Sequence, residues 1–157
     1  MSHSILHGDT RAIMVEETFP HSPDVVWRVL TTPELIGRWL KMTPTGFVAE
    51  VGNQFTYQTT PAGKWDGVIR CEVLELVIGE RLKYSWRGGH ADNVGYGSLL
   101  DLTVSMFVEP VAGGTRLRLI HSGFDLPRNE TAFSGMSGGW KGVIVRIAEI
   151  IDEQRKD

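Results

Sequence analysis

The chain has 157 residues, 41% hydrophobic and 22% charged, a balance that suits one globular domain with a sizeable core. A net charge of −3, with no stripe of lysine and arginine, excludes nucleic-acid binding as the main role. The lone Cys71 excludes an internal disulfide framework and a cysteine-rich zinc site, and no apolar run approaches the ~18 residues of a membrane-spanning helix.

Residues 1–10 read as a flexible lead-in and residues 11–157 as the single domain. The lead-in lacks the basic and apolar regions of a signal peptide, so a cytoplasmic location is expected. His3 and His7 stand four apart, a spacing that suits a metal on a helix. No third ligand is near, and they read as a solvated tail. No metal and no cofactor are expected.

Residues 13–19 alternate weakly and predict a first strand. Ser22-Pro23-Asp24 is a helix start: an N-cap serine, a proline at the first helical position and an acid in the first turn. Val26, Val29 and Leu30 form the buried side of that short helix. Thr32-Pro33-Glu34 repeats the signal, and the second short helix carries Leu35, Ile36, Trp39 and Leu40.

After Pro44 the period changes to two. Strands are predicted over residues 47–51, 54–60, 67–77, 81–87, 99–109 and 115–122, with glycine-rich turns between them. Leu82, Tyr84 and Trp86 alternate with Arg81, Lys83, Ser85 and Arg87, as in a half-buried antiparallel strand. Leu117, Leu119 and His121 likewise oppose Arg116, Arg118 and Ser122. Residues 123–133 read as a loop.

Residues 134–155 form one long amphipathic helix. Its apolar residues, from Met136 and Trp140 through Val143 and Ile147 to Ile151, fall in a stripe ~120° wide. Four glycines, at 135, 138, 139 and 142, sit in its first half. Each costs ~1 kcal/mol against alanine inside a helix. Two readings stay open. The helix starts late and frayed, with Ser134 or Ser137 as N-cap, or Gly139 leaves space at the edge of the stripe for a backbone or a ligand.

The sum is an α+β fold. A curved antiparallel sheet of about seven strands wraps around a long C-terminal helix, with two short helices after the first strand. A sheet gripping a helix leaves space for a ligand pocket between them.

Several stretches resemble the helix-grip fold of the START-like, birch-pollen-allergen-like superfamily (SRPBCC). Within it the chain is most similar to the group named for the C-terminal domain of the activator of heat-shock protein 90 ATPase. Ser22-Pro23-Asp24-Val25-Val26-Trp27, with Thr32-Pro33-Glu34-Leu35 through Trp39, resembles the first-helix signature. Gly67-Val68-Ile69 through Arg81-Leu82-Lys83-Tyr84-Ser85-Trp86 resembles the central hairpin. Gly114-Thr115-Arg116-Leu117-Arg118-Leu119 with His121-Ser122-Gly123-Phe124 resembles the last strand, and Gly139-Trp140 the opening of the final helix. The resemblance covers residues 14–151. It implies a helix-grip fold and a hydrophobic cavity, but no single activity, since the superfamily includes lipid and hormone binders and polyketide cyclases.

The residues themselves offer no nucleophile motif, P-loop or dinucleotide fingerprint. A wall for a small hydrophobic or aromatic molecule is expected from Trp39, Phe55, Tyr57, Tyr84 and Trp86, together with Met106, His121, Gly139, Trp140 and Val143. His121 and Tyr84 are the candidates for catalysis in a cyclase- or hydrolase-type alternative. His121 reads either as a hydrogen-bonded core residue or, on a cavity wall, as a general base or a group orienting a polar ligand atom. Arg70 and Glu72 read as a solvated outer face or, turned inward, as a charged pair. Cys71 reads as a buried, inert thiol. A third reading is a co-chaperone or protein-interaction module with a chaperone partner. A monomer or homodimer is expected, with neither nucleic acid nor membrane as partner.

Overall fold

The computed structural model describes residues 9–154. Their order is β1 (Asp9–Phe19), α1 (Pro23–Thr31), α2 (Pro33–Leu40), β2 (Gln54–Gln58), β3 (Val68–Val77), β4 (Arg81–Gly88), β5 (Leu100–Val111), β6 (Gly114–Leu126) and α3 (Glu130–Gln154). The six strands form one antiparallel, curved, open sheet in the order β1-β6-β5-β4-β3-β2. β2 to β6 are a meander. β1 lies beside β6, so α1 and α2 carry the chain from one edge of the sheet to the other.

Alternation decides which face is covered. Leu102, Val104, Met106 and Val108 of β5 and Leu117, Leu119 and His121 of β6 are all buried. Their register pairs Val104 with His121, Met106 with Leu119 and Val108 with Leu117. Covering this face is α3, which packs on β1 and β6 and on both short helices. Trp140, Val143, Ile147, Ile150 and Ile151 are its buried stripe, and Val145 on the far side is exposed. Each core side chain removed from water contributes ~1.5–3 kcal/mol, so this interface between sheet and helix dominates the stability.

Proline occupies the first position of both short helices, and Asp24 and Glu34 lie in their first turns. Trp39 is wholly buried and its indole N–H donates to the Val29 carbonyl at 3.0 Å, tying the two helices together. The far end of α3 is held by His21 Nε2 with Asp152 Oδ1 at 2.9 Å and by a two-pronged bond from Arg38 to Glu153.

The sheet has six strands, not about seven, because residues 47–51 are not a strand. Asn53 captures the local backbone instead: its Oδ1 accepts from the Val48 N–H at 2.9 Å and its Nδ2 donates to the Gly46 carbonyl at 3.0 Å. Side-chain bonds of this kind compete with ladder pairing. Phe47 still points inward and meets Phe55 edge-on, with centroids 5.0 Å apart.

β6 outruns its predicted end by four residues. Gly123 has φ +101° and is the extra residue of a bulge opposite Arg11/Ala12 in β1. The strand bends there and pairs onward to Leu126. β1 accordingly begins at Asp9, before the expected end of the lead-in. His3, His7 and Arg155 lie outside the described residues.

α3 begins four residues earlier than expected, and neither Ser134 nor Ser137 caps it. The Asn129 carbonyl accepts from the Phe133 N–H at 2.8 Å, while the Ser137 hydroxyl donates back to the Phe133 carbonyl at 2.7 Å within the helix. Buried Asn129 also bonds Ser98 and Leu99, so the helix start is fixed to the loop before β5. All four glycines are therefore helical.

Candidate functional site

A cavity of about 400 Å³ opens between the sheet and the first half of α3. Four of the five meander strands contribute to its floor: Ile69 from β3, Trp86 from β4, Leu100 from β5 and His121 from β6. Met136, Trp140 and Val143 form the helical wall, and Leu40 and Met42 close the end near α2. Trp65, Tyr96 and Ser98 come from the loops at the opposite end.

The space exists because of two small residues. Gly135 and Gly139 lie one helical turn apart on the cavity face of α3. A Cβ built on either meets nothing within 4 Å. Larger side chains there would occupy the cavity itself.

The sequence-derived candidates divide into two groups. Trp86, His121, Gly139, Trp140 and Val143 come together on the cavity wall. Trp39, Phe55, Tyr57, Tyr84 and Met106 do not line it. They are buried behind it, Trp39 between the short helices and Met106 between Leu82 and Leu119 of the neighbouring strands. Phe55, Tyr57 and Tyr84 form an edge-on aromatic cluster, with centroids 5.3 to 5.8 Å apart, that continues through Tyr57 to Trp86 at 5.6 Å.

His121 is the hub of this wall. It is fully buried and contacts Trp86, Phe124 and Trp140, with centroids 4.9, 5.1 and 5.7 Å away. The Trp140 indole N–H donates to His121 Nδ1 at 3.0 Å. An indole can only donate, so Nδ1 must carry the lone pair and the neutral ring must carry its proton on Nε2. Burial pushes the imidazole down to about 3, so it is neutral at ordinary pH. His121 therefore has no free lone pair and cannot act as a general base in this state. It is a hydrogen-bond donor.

Tyr84 has a different constraint. Burial, with Tyr57 and Cys71 beside it, raises its hydroxyl well above the usual tyrosine range, so it stays protonated. Cys71 is likewise pushed up to about 12 by burial. Arg70 points outward and bonds Asp66 at 3.2 Å, the solvated arrangement of the two readings open for it.

Sequence reasoning did not single out Trp65, Tyr96, Met136 or Arg146 for the wall. Met136 and Arg146 share the helical phase of Gly139 and Val143, so their place was readable once the helix had a partner. Trp65 and Tyr96 sit in separate loops and meet at 5.9 Å only in the folded chain. Arg146 donates from Nε to the Trp39 carbonyl at 2.9 Å. Among the described residues no cluster of three or more His, Cys, Asp or Glu could hold a metal, and no helix is long and apolar enough to cross a membrane.

With this geometry described, the chain can be set beside known proteins. The sequence profile of the family described as Activator of Hsp90 ATPase homolog 1-like protein matches residues 20–152. Among solved structures, protein MLL2253 from Mesorhizobium loti is similar at 33% identity and a TM-score of 0.78, over 91% of this chain and 98% of that one. Protein Mll3558 from Rhizobium loti is 20% identical, with a TM-score of 0.70 over 90% and 97% of the two chains. DynU16, from the dynemicin biosynthetic locus, is 20% identical with a TM-score of 0.67, over 90% of this chain but 47% of its own. No curated protein matches in sequence.

Proposed function

This chain belongs to the Activator of Hsp90 ATPase homolog 1-like family, and from that premise we propose that it binds a small, mostly apolar molecule in the cavity under α3. The observation that carries the reading is the cavity itself: about 400 Å³ of space, walled by tryptophan and aliphatic side chains and kept open by glycines. Sites for small molecules are typically ~300–1,000 Å³, apolar, and provided with a few placed polar groups. Releasing water from such walls favours an apolar guest by ~25 cal/mol per Å² buried.

Binding without turnover is the better reading. Acid–base chemistry at His121 needs a lone pair that Trp140 already occupies. Tyr84, the other catalytic candidate, lies behind the wall and does not touch the cavity.

Native mass spectrometry of the freshly purified protein tests the proposal. We expect a bound small mass that is released on denaturation, and loss of that mass in Gly139→Leu with the fold retained. An adduct that survives Gly139→Leu overturns the placement. An apo mass, with no uptake of added 2-acetylnaphthalene, overturns the function.

A further inference from the structure

The two edges of the sheet are finished differently. β2, at one edge, has five residues and is covered by Thr45, whose N–H donates to the Thr56 carbonyl at 2.8 Å and whose carbonyl accepts from the Thr56 N–H at 3.0 Å. β1, at the other edge, has eleven residues. The ladder fixes where its backbone groups point, because successive residues of an antiparallel strand turn their N–H and C=O to opposite sides. Val108 N–H donates to the Glu80 carbonyl at 2.8 Å, so even-numbered residues of β5 bond toward β4. Odd-numbered Phe107 and Glu109 then bond Arg118 and Arg116 of β6, which leaves Leu117, Leu119 and His121 to bond Glu17, Val15 and Ile13 of β1. Ala12, Met14, Glu16 and Thr18 therefore turn their backbone groups to the open edge, and among the described residues nothing bonds those groups there. Arg11, Ala12, Glu16, Glu17 and Thr18 are exposed, and Met14 is 61% exposed, so α3 stops short of this edge. No proline interrupts the strand. A long bare edge of this kind is a template for a further strand.

We propose that β1 pairs antiparallel with β1 of a second copy of this chain, about a twofold axis at Met14, joining two six-stranded sheets into one. The order of residues along the strand selects this occupant and this register. A twofold antiparallel pair must set one residue opposite its own copy. Centred on Glu16, the two Glu16 carboxylates would oppose each other. Centred on Ile13 or Val15, Arg11 would face Val15 or Phe19, and neither register matches a charge. Centred on Met14, Arg11 faces the partner's Glu17, and the symmetry repeats that ion pair on the other side of the axis. Ile13 and Val15 face one another in the same way. These odd-numbered residues share one face of β1 and fall at the positions of the new ladder that exchange no hydrogen bonds, where opposite side chains come closest. On the other face the two Met14 side chains cover each other. Small Ala12 lies opposite Glu16, which Arg118 already neutralises at 3.2 Å. The backbone groups of Ala12, Met14 and Glu16 then all find partners.

Sedimentation equilibrium of the full chain tests this without any ligand, so its outcome is independent of the binding function proposed above. The wild type should be a dimer that dissociates on dilution. Met14→Pro removes only an outward N–H, a loss that an edge strand tolerates. It should give a monomer with the wild-type circular dichroism. Glu17→Arg sets like charges opposite each other on both sides of the axis and should weaken the dimer by ~tenfold or more, as should Arg11→Glu. The double variant Arg11→Glu/Glu17→Arg restores opposite charges and should recover the wild-type dissociation constant to within about threefold. If Met14→Pro does not fold, this charge series decides by itself. A wild type that stays monomeric at millimolar concentration overturns the proposal. So does a dimer that survives Met14→Pro, or a double variant that associates no better than the single ones. Slow hydrogen exchange of the Met14 and Glu16 amides in a monomer would assign the edge to another segment of the same chain and overturn it equally.

Discussion

His121 shows how a neighbour decides what a side chain can do. On a strand it is one more inward position, and as an imidazole it could be acid, base or donor. The indole of Trp140, 3.0 Å away, removes two of those roles. Trp140→Phe leaves Nδ1 buried without a partner, and such a loss costs ~1–3 kcal/mol. Urea unfolding should show a destabilisation of that size beyond the small change in ring area. The same site has a pH signature. The folded value of about 3 lies below the ordinary 6.5. Between these values the unfolded chain binds a proton that the folded chain refuses, so stability is complete above about pH 6.5 and is lost as pH falls toward 3. Wild-type protein should lose ~1 kcal/mol more than His121→Phe between pH 6 and pH 5. Equal slopes would show that His121 is protonated in the fold.

α3 combines two demands at the level of the element. Its C-terminal half is an aliphatic stripe that closes the core. Its N-terminal half gives up helix propensity to keep the cavity open. Gly138 and Gly139 are adjacent and separate these demands, because only Gly139 lines the cavity while neither meets an atom within 4 Å of an added Cβ. Gly138→Ala should stabilise the fold by ~1 kcal/mol, raising Tm by ~2–4 °C, with ligand affinity unchanged. Gly139→Leu should also keep or raise Tm but weaken the ligand by more than tenfold. If both variants bind alike, the glycine-lined space is not the site.

The whole molecule is one core wrapped by one sheet, and Cys71 reports on its opening. The thiol is buried and pushed up to about 12, so it is neither accessible nor ionised in the native state. A disulfide reagent at pH 8 should label it more than a hundredfold faster in denaturing urea than in buffer. Rapid native labelling would mean that the β2–β3 side of the sheet opens independently of the rest.

Periodicity and helix-start chemistry place nearly every element, since alternation and the Ser-Pro-Asp and Thr-Pro-Glu signals act within a few residues of one another. The exceptions arise where a distant or side-chain partner outweighs that local pattern. Asn53 dismantles the expected strand around Phe47, β1 draws β6 on past Gly123, and Asn129 moves the start of α3 to the loop before β5. The candidate site follows the same division. Residues are marked as inward by period alone, so Trp86, His121 and Trp140 could be named. Period cannot separate a side chain facing a cavity from one buried behind it, and Phe55, Tyr57, Tyr84 and Met106 share the same signal as the wall residues. The distance between sheet and helix makes that separation. It depends on where the glycines of α3 lie relative to strands far away in the chain, a relation set only when the two surfaces pack.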